Sequence, residues 1–228
     1  DYQPTSVDGV PESFARAYSI MMTEPKGPVY MCYDAALQEA PKTHEVPLPP
    51  PSAVATPSPM APDPRALEAI ADKLLKAERP MLLPEYAGRR AGGFESIVEL
   101  AELTGSAVWD VNNALNFPNK HPLCLSMDKP SLKHTDLIVG LDVKDWEKQL
   151  TELNNAKRIR EVLPPESCDY VEIGFAEVGI SKWAMDYCRM QPCSVRALGD
   201  TSIGIPELTR LCRERIGADS KLQKKIAD

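Results

Sequence analysis

Asp136-Leu137-Ile138-Val139-Gly140-Leu141-Asp142 is the stretch on which the fold turns. Every position between its two aspartates is apolar or glycine, with no polar alternation. A strand with one wet face alternates; an unbroken apolar run of this length, too short for a buried helix, marks a strand covered on both faces. Such strands belong to parallel sheets with helices packed above and below.

The surrounding sequence supplies those helices. Upstream, Asp63-Pro64 opens a helix whose apolar residues Leu67, Ile70, Ala71, Leu74 and Leu75 recur at helical spacing, and a strand Met81-Leu82-Leu83 follows Arg79-Pro80. Gly88, Gly92 and Gly93 form the next turn, Phe94 to Leu103 reads as a second helix ended by Gly105, and Ala107 to Val111 as a second strand. Downstream, the pattern predicts a helix around Trp146 to Leu153, a strand from Tyr170 to Ile173, a helix around Ile180 to Arg189, a strand from Ser194 to Leu198 and a helix from Ile205 to Arg215. Regular alternation of this kind requires right-handed crossovers. The expectation is an α/β, Rossmann-like, doubly wound and mostly parallel six-stranded sheet, occupying residues 63–217, with a tail at 218–228 that presents Lys221, Lys224 and Lys225 on a solvated helix face.

The first 62 residues read differently. Phe14, Ala17, Tyr18 and Met21 lie at helical spacing in Val10 to Met22; Pro25-Lys26-Gly27-Pro28 stops that helix, and Val29 to Tyr33 reads as a short strand. One helix and one strand bury too little surface to fold alone. This appendage, residues 1–40, is therefore expected to show an exposed apolar face and to look like the tail of another domain. That the chain begins at Asp1, without Met and on the lead-in to a helix, suggests a truncated or processed end. Residues 41–62, PKTHEVPLPPPSAVATPSPMAP, have the composition of an extended proline-rich linker.

Composition narrows the function classes. A formal net charge of -7 and no basic stripe speak against nucleic acid, whose phosphates need clustered Lys and Arg. No apolar run approaches the roughly 20 residues that cross a bilayer. The 6 cysteines show no C-x-x-C spacing and the 3 histidines no H-x-x-x-H spacing, so neither a zinc site nor a redox dithiol is encoded locally. With no signal peptide and enough sequence to fold by core burial, a cytoplasmic protein is expected.

In doubly wound sheets ligands bind beyond the carboxyl ends of the strands. There the sequence places Tyr86-Ala87-Gly88-Arg89-Arg90, then Asn112-Asn113-Ala114, then Asp142-Val143-Lys144-Asp145. Glycine allows close backbone approach and arginine pairs phosphate, which makes this crest a candidate nucleotide site. Neither G-x-G-x-x-G nor G-x-x-x-x-G-K-[ST] occurs.

Two stretches together carry a resemblance. VPESFARAYSIMMTEPKGPVYMCYDAALQEAP (Val10 to Pro41) is similar to the last helix and strand of the pyrimidine-binding domain of thiamine-diphosphate-dependent enzymes of the acetolactate synthase and benzoylformate decarboxylase type. Pro64 to about Ile216 resembles their central domain, through DPRALEAIADKLLKAERPMLL, LKHTDLIVGLDVKDW, VEIGFAEVGI and the final LGD. The resemblance implies thiamine diphosphate and magnesium in a complete enzyme, at sites outside this chain: the glutamate that activates the aminopyrimidine and the G-D-G…N metal motif are not in it. It implies FAD or ADP as ligands of the central domain in some members, with Gly88, Arg89, Asn112, Asn113, Asp142, Gly174 and Asp200 at the matching crest positions. Ala176-Glu177-Val178-Gly179 is similar to the family's A-E-I-G, with Gly174 where an acidic residue is expected. The M-x-G-x-H-G loop of FAD-binding members is absent, and Asn116 to Pro122 stands in its place.

The function implied is that of a central scaffold, with nucleotide binding at its crest, in a thiamine-diphosphate-dependent carboligase or decarboxylase of 2-oxo acids, inactive alone and completed by other domains or subunits in a homo-oligomer. Two further readings stand beside it. One is a non-catalytic assembly subunit that docks on a partner carrying the active site; the other, weakened by the missing glycine fingerprint, is an NAD-dependent oxidoreductase.

Overall fold

The computed structural model describes residues 3–111, 115–175 and 190–227. The chain divides into two compact units, residues 1–59 and 60–228.

In the first unit, helix α1 (Gly9–Met22) forms as its periodicity predicts. Its apolar face is uncovered: Phe14 is 57% exposed and Tyr18 39%, with Ile20 and Met21 also exposed. Ser13 turns inward, giving its hydroxyl to Val10 O at 2.6 Å and lying 2.9 Å from the Tyr33 hydroxyl. The Phe14 and Tyr33 rings stack at 5.8 Å. Val29 to Tyr33, expected as a strand, pairs with no strand among the described residues. Extended chain becomes a strand only where a neighbour accepts its N–H groups, and this unit provides none. Helix α2 (Ala35–Glu39) follows, capped by the Asp34 carboxylate on Ala36 N. The proline-rich segment is more than a spacer here, since Leu48, Pro49 and Val54 face Pro11, Phe14 and Tyr18 across an apolar groove of about 710 Å3.

The second unit opens with helix α3 (Pro64–Lys76), capped by Asp63 and burying the predicted stripe Leu67, Ile70, Ala71, Leu74 and Leu75. Strand β1 (Pro80–Pro84), helix α4 (Gly93–Thr104), strand β2 (Ala107–Val108) and strand β3 (Leu137–Leu141) follow. Helix α5 (Trp146–Leu150) leads into strands β4 (Thr151–Asn154) and β5 (Ile159–Val162), then come strands β6 (Asp169–Ile173) and β7 (Val195–Ala197) and helices α6 (Thr201–Ala218) and α7 (Ser220–Ala227). The main sheet is parallel throughout, in the order β2-β1-β3-β6-β7. The α/β, doubly wound expectation is met.

The strand count differs. Among the described residues five strands form the ladders of the main sheet where six were expected. At the sixth place, outside β2, Val108 makes a single parallel bridge with Cys124, with Val108 N on Leu123 O at 2.8 Å and Leu125 N on Val108 O at 2.9 Å. Pro122 lacks an N–H and a turn begins at Leu125, where Asp128 N returns to its carbonyl, so no ladder extends from the bridge. With that bridge counted, the spatial sequence is the 3-2-1-4-5-6 order of dinucleotide-binding sheets, and its direction reverses between β1 and β3.

Helix α5 ends at Leu150 rather than Leu153 because β-branched Thr151 is extended. The next residues make the antiparallel β4–β5 hairpin, turned by the Asn154 side chain on Lys157 N and by Arg158 at φ 54. The helix expected around Ile180 to Arg189 lies outside the described residues. Lys225 is exposed, as expected of a solvated face, and its ammonium also donates to Leu75 O, Lys76 O and Ala77 O and so closes the carbonyl end of α3. Among the described residues no helix is long and apolar enough to cross a membrane.

Core residues alternate across the sheet. Leu82, Val139 and Val171 face α3, α4 and α6, while Met81, Leu83 and Ile138 face Trp109, Trp146 and Leu150. Gly140 in the middle of β3 is required by the second layer, since a Cβ there would lie 2.3 Å from the Trp146 ring.

Candidate functional site

The reversal between β1 and β3 places the crevice of a doubly wound sheet at their carboxyl ends. Acidic residues follow the strands there: Glu85 after β1, Asp110 two positions past β2, Asp142 after β3, and Asp200 three past β7. Each acts on a neighbouring loop.

Glu85, 4% exposed, accepts Lys144 N at 2.5 Å and Asp145 N at 3.0 Å on one oxygen and Gln149 Nε2 at 3.2 Å on the other. Asp110 accepts Asn116 N at 3.1 Å, Phe117 N at 3.2 Å and Asn116 Nδ2 at 2.8 Å. Asn116 passes the link on, its side-chain oxygen accepting Gly88 N at 2.9 Å. Asp142, wholly buried and at φ 56, accepts Phe175 N at 3.0 Å, with the Thr201 hydroxyl 3.4 Å from its other oxygen. Asp200 caps α6 through Ser202 N at 2.8 Å.

Two arginines close the centre. Arg90, nearly buried, sits 3.9 Å from Asp142 and 3.6 Å from Asp200; Arg89 reaches Asp142 at 3.6 Å and lies over the Tyr86 ring at 5.5 Å. The structure thus brings Gly88, Arg89, Asp142, Gly174 and Asp200 to one crest. Asn112 and Asn113 lie outside the described residues, as does Ala176 to Gly179. Sequence reasoning named Arg90 and Asn116 only as members of loops and did not single out Glu85, Asp110 or Thr201; the signal that could have found the two acids was the repeated acid just past a strand end.

No family model matches the sequence, and no curated protein sequence matches it. Solved structures do match the fold. A protein assigned to the thiamin diphosphate-dependent enzymes, isolated from Mycobacterium smegmatis, superposes with a TM-score of 0.66 at 22% identity over 92% of this chain. The chain shares the fold of the part of that protein it covers. Benzoylformate decarboxylase from Polynucleobacter necessarius gives a TM-score of 0.63 at 21% identity, again over 92% of this chain. The present chain spans 38% of the length of each. Among the described residues no group of three or more His, Cys, Asp or Glu is placed to hold a metal ion.

Dinucleotide sites on doubly wound sheets need open glycine turns and free amides aimed at a pyrophosphate. Among the described residues, the glycine turns of the crest do not fit that requirement. A Cβ on Gly88 would meet Leu115 O and Asn116 at 2.7 Å, and one on Gly93 would meet Ala87 O at 2.3 Å, so the glycines admit the protein's own backbone. A cleft of about 560 Å3 opens beside Arg79, Met81 and His134, at the opposite end of the sheet from the crevice.

Proposed function

We propose that this chain is the central scaffold, with the adjoining end of a pyrimidine-binding domain, of a thiamine-diphosphate-dependent enzyme that decarboxylates or ligates 2-oxo acids. The observation that carries the reading is the fold match over 92% of this chain against 38% of its solved neighbours. In such an enzyme the cofactor supplies an electron sink for the carbanion left by the 2-oxo acid, and the protein supplies orientation and electrostatics. The residues described here contribute rigidity: a parallel sheet packed on both faces and loops tied to strand ends by buried carboxylates.

The other domains or subunits, which in this reading assemble into a homo-oligomer, provide the aminopyrimidine-activating glutamate and the metal site. The test is turnover of benzoylformate or pyruvate with thiamine diphosphate and Mg2+. The chain alone is expected to be inactive, and co-expression with a polypeptide carrying both missing motifs to restore activity. Turnover by the chain alone overturns the reading.

A second reading, a non-catalytic assembly subunit, draws on the uncovered Phe14 and Tyr18 of α1. It predicts stable co-purification with a partner whose turnover does not depend on this chain.

A further inference from the structure

We infer that the cleft at the amino ends of β1 and β2 is a binding site for a small aliphatic carboxylate. It lies at the other end of the sheet from the crest, and no step of the proposed 2-oxo acid chemistry passes through it.

Its shape is fixed before a ligand arrives. The cleft holds about 560 Å3, within the range of roughly 300–1,000 Å3 typical of small-molecule pockets. Two of its walls, the turn before β1 and the turn before β3, are tied together. The Asp136 carboxylate accepts Glu78 N at 2.7 Å and Arg79 N at 2.9 Å, and the Thr135 hydroxyl donates to Arg79 O at 2.8 Å. Walls held in this way need little ordering on binding.

The floor is apolar, formed by Met81, Ala107 and Leu125. Met81 is buried, whereas Ala107 and Leu125 pack against the core layer that contains it and are only partly covered. An aliphatic chain laid on them would remove from water apolar surface that the protein leaves wet.

The polar side chains select the head group. Arg79 and His134 are exposed on the lining, and neither side chain makes a hydrogen bond or ion pair among the described residues. A guanidinium presents paired N–H donors that match the two oxygens of a carboxylate, and the imidazole adds a further donor. The Ser131 hydroxyl is already given to Asp128 O at 2.7 Å, which leaves Arg79 and His134 to hold the anion. Glu78, the one acid on the lining, is exposed, so water and salt screen its repulsion. A free phosphate would use the arginine but leave the floor bare; a carboxylate with an aliphatic body uses both.

Titration of the full chain, methyl-labelled for NMR, with hexanoate tests the inference, with hexanol and hexylamine as chain-matched controls. Hexanoate at millimolar concentration is expected to shift the Met81 and Ala107 methyl signals saturably, at a lower midpoint than either control. Arg79→Gln keeps the backbone N–H and carbonyl that hold the turn, and it is expected to weaken hexanoate roughly tenfold while leaving the urea midpoint unchanged. No saturable shift at these methyls, a hexanol or hexylamine midpoint equal to that of hexanoate, or undiminished binding by Arg79→Gln overturns it. Shifts confined to α1 would place hexanoate in the apolar groove of the first unit and overturn it as well. Turnover is not measured, so failure of the proposed enzyme activity leaves the result untouched.

Discussion

Gly174 lies against Asp142 so closely that a Cβ at position 174 would stand 2.6 Å from the carboxylate oxygen Oδ1 and 2.8 Å from the Asp142 Cα. Gly174 has φ 142, a conformation that L side chains rarely adopt, and Asp142 itself stands at φ 56. The two residues end adjacent strands, β3 and β6, so strain in one is transmitted to the other. Gly174→Ala should therefore destabilise the second unit by roughly 2–4 kcal/mol, combining backbone strain with overpacking. A urea midpoint within error of wild type would show that the contact relaxes freely.

Removing the Glu85 carboxylate should loosen the loop it holds. Glu85→Ala takes the acceptor from Lys144 N, Asp145 N and Gln149 Nε2, all in a buried setting, at an expected cost of about 3 kcal/mol. Glu85→Gln keeps one acceptor oxygen and should lose less. Chemical denaturation of both variants checks the ranking, and equal losses would assign the effect to charge rather than to acceptor geometry.

Acid should weaken the Lys73–Asp169 pair, whose nitrogen and oxygen are 2.7 Å apart. Burial tends to raise the Asp169 carboxyl, but hydrogen bonds from Lys73, Ser194 and Tyr170 N outweigh it and hold the group below its usual range. A depressed folded value means that the stabilisation is present above the ordinary carboxylate range, near about pH 4, and is lost as pH falls through the folded value. Both side chains are 37% exposed, so solvent screening limits the effect to about 1 kcal/mol or less. Asp169→Asn should be less stable than wild type at neutral pH, with the difference closing in acid; a constant difference across that range would assign the loss to packing.

Thiol chemistry should divide the cysteines by burial. Burial pushes the Cys168 and Cys212 thiols up to about 12, and neither side chain reaches solvent appreciably, whereas Cys32 is exposed. At pH 8, iodoacetamide followed by peptide mass mapping should label Cys32 readily and leave Cys168 and Cys212 unmodified until denaturant is added. Early labelling of Cys212 would mean that α6 leaves the sheet in the native ensemble.

The fold was legible wherever burial imposed a period. Leu67, Ile70, Ala71, Leu74 and Leu75 are buried as their spacing predicts, and the run from Leu137 to Leu141 is the sheet's central strand. What could not be read followed from tertiary pairing. Val29 to Tyr33 has strand composition but pairs with no strand among the described residues, while Thr151 to Leu153, expected as the end of a helix, open a hairpin that runs to Val162. At the crest, position was readable and use was not. Gly88, Arg89, Asp142, Gly174 and Asp200 do converge, yet that the acids face inward depends on hydrogen bonds between residues such as Glu85 and Gln149, 64 positions apart.

The single bridge between Val108 and Cys124 also leaves this edge of the sheet short. A long open edge on a parallel sheet is a template for recruiting foreign strands, and β-rich edges left bare seed aggregation. This rim offers a two-residue strand and one bridged residue with a proline close before it, too short and too irregular to nucleate an intermolecular ladder. By stopping at one bridged residue, this edge presents little backbone for an added strand to pair with.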